Sequence, residues 1–394
     1  MRHPQHSNPD GVQGRPESRH GRRRRAQEHP VQHDQQVPLI TAPATSDARR
    51  PPSEETTAAV IEQSRRLLDS LASRDWLDED HWRLIHGTLA DLRQGLELFR
   101  NASGRRRIAV FGSARSPAYG SAYRQACHLG QLAAANGFDV ITGAGPGIME
   151  AANRGAGQDH SFGVNVRLPE EQVANRYLDA TNQRLLTCHY FFTRKLFFLR
   201  ESDALVICPG GFGTLDEMFE SLTLIQTGRT PPIPVVLMAP EADGSWLRLQ
   251  RRILEQLRGN GHIAAEDEAL LRFCTDPEQV IERIRHFYRL LHSIHRSGDT
   301  MALHLHAALP QTAIHRFSRE FDELFRCSSP ERLEHGWLHS DPEATPLFRL
   351  RFRFDERRIG LLVRAIDWLN DLELADAPDA ACQSDPTRPG TIGS

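Results

Sequence analysis

Residues 203–228 of this 394-residue chain read DALVICPGGFGTLDEMFESLTLIQTG. A short and continuously apolar run, ALVIC, is followed by a glycine-rich turn and then by a segment with helical periodicity. A strand without alternating polar residues is typical of a parallel sheet that is covered on both faces. The stretch therefore predicts one strand–turn–helix unit of an α/β fold.

The same pattern recurs on both sides of this stretch. The strand-like runs RRIAVFGS, FDVITGAG, HSFGVNVRL and PIPVVLMA alternate with amphipathic helical segments between residues 105 and 295. Strands that alternate with helices indicate right-handed βαβ units. The sequence thus predicts a Rossmann-like, doubly wound parallel sheet of five strands. It also predicts a long helix around Arg194 and a closing helix over residues 276–292.

The segments outside this domain differ from it in composition and periodicity. Residues 1–52 are rich in Pro, Gln, His, Ser and Arg, and we expect them to be disordered, as we do for the tail 375–394. Residues 53–104 predict a helical pair that packs on the next domain or on a second subunit. Residues 299–374 follow a β-α-β-β-α pattern, which predicts a small α+β module.

Composition and charge argue against several classes of protein. The net charge of −3 gives no general attraction to nucleic acid or membranes, and no apolar run is long enough to span a bilayer. Six cysteines are scattered without a CxxC pair, which favours reduced thiols and a cytoplasmic location. The N-terminal cations are not followed by an apolar segment, so we expect no secretory signal.

Three glycine-rich loops, at residues 112–115, 143–147 and 209–214, follow predicted strands. Ligands of doubly wound sheets bind beyond the carboxyl ends of the strands, where these loops would meet. Glycine lets backbone N–H groups approach phosphate oxygens, and the helix that follows adds partial positive charge. The loops therefore predict a ligand that carries phosphate.

The spacing of these glycines favours a mononucleotide. The first strand is followed by GSAR rather than GxGxxG, and no glycine loop ends in the GK of a Walker motif, so a dinucleotide cofactor and an ATPase are disfavoured. Glu217 comes directly after the third loop, where a carboxylate would weaken phosphate binding. A carboxylate beside a ribose can, however, stabilise the oxocarbenium-like state of glycosidic cleavage and activate the attacking water. Glu217 is therefore a candidate catalytic residue.

Three motifs together, GAGPGIMEAANRGA, FFTRK and PGGFGTLDE, resemble the LOG family. These proteins are cytokinin-activating phosphoribohydrolases that were once mislabelled as lysine decarboxylases. The resemblance implies hydrolysis of a purine nucleoside 5′-monophosphate, AMP or an N6-modified cytokinin riboside monophosphate, to free base and ribose 5-phosphate. It also implies a homodimer or a multiple of dimers, without a metal or redox cofactor. The chain has Ala144 where the family usually has glycine.

The resemblance also implies which residues form the site. Arg194 and Glu217 match the catalytic pair of the family. From the family match and the glycine loops together, the candidate substrate contacts are Ser113, Gly145, Gly147, Glu171, Lys195, Gly210, Gly211, Gly213, Thr214 and Thr223. We expect a nucleoside monophosphate as the ligand, and neither a membrane nor a nucleic acid as a partner.

Other functions can be weighed on the sequence. A nucleotide sensor would keep the site without turnover and use the C-terminal module as its output. A pyridoxal-phosphate decarboxylase needs a Schiff-base lysine, but Lys195 is the only lysine of the chain and directly follows Arg194, which argues against that activity. His304 and His306 alternate on a predicted strand, but without a third ligand at suitable spacing they do not predict a metal site.

Overall fold

The computed structural model describes residues 54–100, 102, 104–167, 173–178, 183–241, 244–326, 333–338 and 346–374. The two tails that we expected to be disordered, and the candidate contact Glu171, lie outside these residues.

Within these residues, seven short strands form a parallel sheet. In chain order they are β1 (Arg107–Phe111), β2 (Asp139–Thr142), β3 (Ser161–Val166), β4 (Leu185–Cys188), β5 (Ala204–Ile207), β6 (Val235–Met238) and β7 (Leu271–Cys274). Their order across the sheet is β4-β3-β2-β1-β5-β6-β7, and every neighbouring pair is parallel. The predicted Rossmann-like, doubly wound fold is confirmed. The direction of winding changes between β1 and β5, which is where such folds bind ligands.

In the described residues up to Phe287, eight α-helices precede or follow these strands. They are α1 (Glu54–Ala72), α2 (Glu79–Arg100), α3 (Ser121–Ala135), α4 (Ile148–Ala156), α5 (Phe191–Glu201), α6 (Phe212–Gln226), α7 (Gly244–Gly259) and α8 (Pro277–Phe287). The predicted helical pair corresponds to α1 and α2, and α2 packs against α5 and β4.

Because successive strand residues point to opposite faces, the sheet has two separate cores. On one face Ile108 and Val110 are buried together with side chains of α3, α4 and α8. On the other face Ala109 and Phe111 are buried together with side chains of α2, α5 and α6. This coverage explains the continuous apolar runs of β1, β5 and β6.

Two strands of this sheet were not predicted from the sequence. β4 (LLTC) and β7 (LRFC) are four residues long and lie at the two edges of the sheet. Each includes a polar residue, so neither has the continuous apolar run that identified the central strands. The long helix predicted around Arg194 is the eleven-residue α5, which begins after β4 ends.

A second sheet, which is antiparallel, follows α8. Its strands are β8 (Leu291–Ser297), β9 (Thr300–Leu305), β10 (Leu333–Leu338) and β11 (Leu347–Arg353), in the order β10-β11-β9-β8, and its helices are α9 (Gln311–Glu320) and α10 (Ile359–Asn370). The helix predicted over residues 276–292 ends at Phe287, because residues 291–297 pair with β9. The boundary expected between residues 295 and 299 falls within this hairpin. A separate C-terminal module stays a prediction.

The second sheet shares its apolar core with one face of the first. Leu303, Leu350 and Ile366 belong to the same cluster of buried side chains as Phe111 and Met218. This continuity joins the C-terminal segment to the part of the chain that carries α5 and α6.

A buried asparagine at the end of α10 closes the corner between α8 and β8. The side-chain oxygen of Asn370 accepts hydrogen bonds from the N–H groups of Leu290 (2.7 Å) and Leu291 (3.3 Å). Its amide nitrogen donates to the carbonyl oxygen of Phe287 (2.7 Å). The backbone groups of this corner are therefore satisfied by a side chain from the far end of the chain.

Candidate functional site

The three glycine-rich loops meet at the carboxyl edge of the first sheet, beside the change of winding. The N–H of Ser113 donates to the carbonyl of Pro209 (3.0 Å), and the carbonyl of Ser113 accepts from the N–H of Ile148 (3.1 Å). These bonds connect the loop after β1 with the loops after β5 and β2. Because parallel strands end at the same edge, the loops lie together.

Some glycines of these loops are required by the fold itself. A Cβ at Gly147, where φ is +68°, would collide with the carbonyl oxygen of Ser113. A Cβ at Gly210 would collide with the Oγ1 of Thr214. Neither position can carry a side chain without movement of its neighbours.

Two other glycines, at the start of α6, have a different surrounding. A Cβ at Gly211 or Gly213 would have no atom within 4 Å. The packing of the chain does not explain glycine here, whereas the close approach of a ligand to the backbone would. Thr214, in the same turn, is buried, and its N–H donates to the carbonyl of Gly211 (3.1 Å).

A buried polar network holds the loop after β2. Thr142 Oγ1 donates to Asn153 Oδ1 (2.6 Å) and accepts from the N–H of Ala144 (3.0 Å). Asn175 donates from its N–H to the carbonyl of Ala144 (2.8 Å) and from its side chain to that of Gly145 (3.2 Å). Sequence reasoning missed Thr142, Asn153 and Asn175. The asparagine within the otherwise small and apolar AAN segment of α4 was the available signal.

Ala144 has a φ of +59°, a left-handed conformation that favours glycine. A residue with a Cβ costs about 1 kcal/mol or more in this conformation. The position at which the chain departs from the family pattern is thus one where glycine would be less strained.

Arg194 lies in the first turn of α5, and its side chain reaches into the loop region. Its Nε donates to the carbonyl of Val164 in β3 (2.8 Å), and its Nη2 fills the space beside Gly143. The guanidinium also lies over the ring of Phe198, 5.2 Å from the ring centre. Burial lowers the pKa of Arg194, while the charge of Glu217 acts in the opposite direction. The structure therefore provides a fixed, largely desolvated cation at this edge of the sheet.

Glu217 lies in the second turn of α6, and only 9% of the residue is exposed. Burial raises the pKa of this carboxyl group to about 7, although the positive charges of Lys195 and Arg194 lower it. At neutral pH both the protonated and the ionised forms are populated. A buried carboxyl group with such a pKa that interacts with a half-buried cation is typical of catalytic acid–base chemistry.

Lys195 contacts the side of α6 rather than the glycine loops. Its Nζ lies 2.8 Å from Asp216 Oδ2 and 2.5 Å from Glu220 Oε2. Partial burial would lower the pKa of Lys195, but its hydrogen bonds with the two carboxylates raise the pKa above its ordinary value. Lys195 therefore joins the helix of Arg194 to the helix of Glu217. A protonated amine held in this way is unsuited to forming a Schiff base.

Thr223 lies apart from the other candidate contacts. It is exposed on α6, and its Oγ1 donates to the carbonyl of Phe219 (2.7 Å). It is about 13 Å along the helix axis from Thr214, at 1.5 Å per residue. Within one chain the structure does not bring Thr223 to the glycine loops.

The histidines of the second sheet lie close together. Ser293 Oγ is 2.9 Å from His295 Nε2 and 3.4 Å from His304 Nδ1. Burial, together with the charges of His295 and His292, lowers the pKa of His304 to about 3. In the part of the chain that the structure describes, no three side chains of His, Cys, Asp or Glu are arranged to hold a metal ion. No helix in the same part is long and apolar enough to cross a membrane.

Comparison with known proteins identifies relatives of this chain. A family model described as "Possible lysine decarboxylase" matches residues 149–284. The cytokinin riboside 5′-monophosphate phosphoribohydrolase of Mycobacterium tuberculosis (strain ATCC 25618 / H37Rv) is 30% identical over 137 residues, which are 34% of this chain and 70% of that protein. A probable cytokinin riboside 5′-monophosphate phosphoribohydrolase of Oryza sativa subsp. japonica is 33% identical over 129 residues. That match covers 32% of this chain and about half, 51%, of the rice protein.

Among solved structures, the molybdenum cofactor binding protein of Rippkaea orientalis is 22% identical with a TM-score of 0.34, over 46% of this chain and 96% of that chain. The strand order and the glycine-lined edge define a Rossmann-like α/β protein. The chain belongs to the LOG family, the family of the two phosphoribohydrolases named above.

Proposed function

We propose that the protein hydrolyses the N-glycosidic bond of a purine nucleoside 5′-monophosphate, either AMP or an N6-modified cytokinin riboside monophosphate. The observation that carries this proposal is the buried Glu217, which has a pKa of about 7 and lies directly beyond the PGGFGT loop. The charge of Glu217 interacts with that of the half-buried Arg194. Membership of the LOG family supports the same activity.

In the proposed reaction the 5′-phosphate is bound by N–H groups of the glycine loops, and the ribose lies beside Glu217. The bond between C1′ and the base nitrogen breaks, and its electron pair leaves with the base, which takes up a proton from solvent. The oxygen of a water molecule adds to C1′ and gives ribose 5-phosphate. The carboxylate of Glu217 stabilises the ribosyl cation and accepts a proton from the water. The proton that the water gives to Glu217 later returns to solvent. Arg194 positions the nucleotide and neutralises developing negative charge.

The test is the release of ribose 5-phosphate and free base from a panel of nucleoside 5′-monophosphates. We expect Glu217→Gln to lower the turnover rate by about 10²–10⁴-fold, because the substituted amide can neither stabilise a cation by charge nor accept a proton. The variant should still bind AMP, with a dissociation constant, measured by calorimetry, that is unchanged or lower, because it removes a negative charge beside the phosphate site. Full activity of the variant would contradict this mechanism. Binding without turnover by the wild-type protein across the panel would favour a sensor.

A further inference from the structure

One face of α2 is shaped to fit the catalytic helix α5. The buried residues of α2 are spaced four apart and are Gly87, Asp91, Gly95 and Phe99. A Cβ at Gly95 would collide with the ring of Phe197 in α5. A Cβ at Gly87 would lie 2.8 Å from the Tyr190 ring, just ahead of α5. Glycine at these two positions therefore allows close contact between the helices.

Between the two glycines lies a carboxylate that is fully buried. Asp91 is 0% exposed, and a buried charge is costly unless it is hydrogen-bonded. Its Oδ2 accepts from the N–H of His189 (2.8 Å) and from Thr193 Oγ1 (2.6 Å), and its Oδ1 accepts from His189 Nδ1 (2.6 Å). All of these donors come from residues 189–193, the segment that leads into α5 and forms its first turn.

The position of this segment determines where the side chain of Arg194 leaves the backbone. Tyr190, the N-cap of α5, makes no capping hydrogen bond with its side chain. The N–H of Arg194 donates to the carbonyl of Tyr190 (3.2 Å). Tyr190 directly follows His189, and Arg194 directly follows Thr193, the two residues that Asp91 contacts. A negative charge near the start of a helix is also favourable to the helix dipole. The hydrogen bonds of Asp91 thus hold the start of α5, where the N-cap side chain makes none.

We propose that Asp91 is a positioning residue for Arg194, so that α2, which lies outside residues 149–284 matched by the family model, forms part of the support of the active site. This inference rests on the proposed function. The carboxylate fixes the first turn of α5, and this turn places the guanidinium between the β2 loop and β3. A shift of that turn moves Arg194 away from Val164 and Gly143, where the structure holds it.

The test compares Asp91→Asn with Glu97→Gln, a matched loss of charge at an exposed position of the same helix. Asparagine places an amide donor against the donors of His189 and Thr193. We expect D91N to lower kcat/KM for AMP by about 10–100-fold, as a displacement of catalytic groups by about 1 Å can do. E97Q should leave kcat/KM unchanged. If D91N does not fold, Thr193→Val removes one of the donors at nearly constant volume, and we expect a smaller loss of the same kind.

A double-mutant cycle with Arg194→Lys separates positioning from general stability. If Asp91 acts through Arg194, D91N should have a much smaller effect on kcat/KM, and on the dissociation constant of AMP, in the R194K background. If Asp91 only stabilises the fold, D91N lowers the melting temperature, and its effects are equal in both backgrounds. That result would overturn the inference. A wild-type protein that binds AMP without releasing ribose 5-phosphate would contradict the proposed function alone, since the cycle on AMP binding would still decide the role of Asp91.

Discussion

At the residue scale, the protonation of Glu217 should control the pH dependence of activity. The pKa of this buried carboxyl group is raised to about 7, and the proposed chemistry requires the carboxylate. We therefore expect kcat/KM for AMP to rise with pH and to level off above an apparent pKa of about 7. The pH–rate profile of kcat/KM, which reports groups of the free enzyme, provides the measurement. A profile that is flat from pH 5 to 8, or that falls through neutral pH, would contradict the assignment.

Thermal unfolding of Glu217→Gln provides an independent control. The folded state binds the Glu217 proton more tightly than the unfolded state, so this group favours folding at low pH. Its contribution is lost as pH rises from about 4.5 through about 7. This rise of the pKa corresponds to a loss of roughly 3 kcal/mol in the free energy of unfolding above pH 7. E217Q should therefore be more stable than the wild-type protein at pH 8, and the difference should shrink towards pH 5.

The residues of the site differ in how far they could be predicted from the sequence. Arg194 and Glu217 stand within motifs whose local spacing and family resemblance identify them. Asp91 and Asn175 act through partners that are distant in the sequence: Asp91 contacts His189, and Asn175 contacts Gly145. No local pattern identifies a pair of this kind, because only the folded chain brings its members together.

At the element scale, the corner between α8 and β8 depends on one side chain of α10. We expect Asn370→Ala to lower the free energy of unfolding by about 2–4 kcal/mol, because it leaves two N–H groups and one carbonyl without a partner in a buried position. The measurement is urea unfolding of the full chain. Glu373→Gln, at an exposed position three residues beyond Asn370, should change stability by less than about 0.5 kcal/mol. A loss below about 1 kcal/mol in N370A would show that water replaces the missing bonds.

The elements that could be predicted are those with a clear local period. β1, β5 and β6 have continuous apolar runs, and the helices between the strands are amphipathic, so both were identified. β4 and β7 are short edge strands, and their hydrogen-bonding partners are set by the neighbouring strands rather than by their own composition. The end of α8 was misplaced because RLLH continues the apolar pattern of the helix, although pairing with β9 makes residues 291–297 a strand.

At the scale of the whole molecule, we propose that the chain forms a homodimer through its first two helices. Val60 and Leu67 of α1 are 55% and 63% exposed, and Leu89 and Leu96 of α2 are 46% and 44% exposed. The two residues of each pair lie seven positions apart and so share one face of their helix. Exposed apolar faces of this kind are typical of association sites. We expect light scattering to give the mass of a dimer for the wild-type protein, and that of a monomer for the double variant Val60→Asp, Leu67→Asp.

Arg65→Asp, a charge change on another side of α1, is the control for this variant and should remain dimeric. A monomeric wild-type protein at all concentrations would contradict the proposal. A dimeric double variant would place the interface elsewhere. α2 also packs on α5. Any loss of activity on dissociation should therefore be compared with the loss in the D91N variant, which changes the same helix from its buried side.

Lys195 connects α5 with α6 through its ion pairs with Asp216 and Glu220. It is also the only lysine of the chain, which has a practical consequence. A lysine-specific protease can cut only after this residue, within α5, and yields two fragments of nearly equal length. Proteases cleave backbone that has opened, so the rate of cutting reflects the population of the open form. When opening and closing are fast relative to cleavage, the loss of one band on a gel therefore measures, in native buffer and without any label, how often α5 leaves its place in the fold.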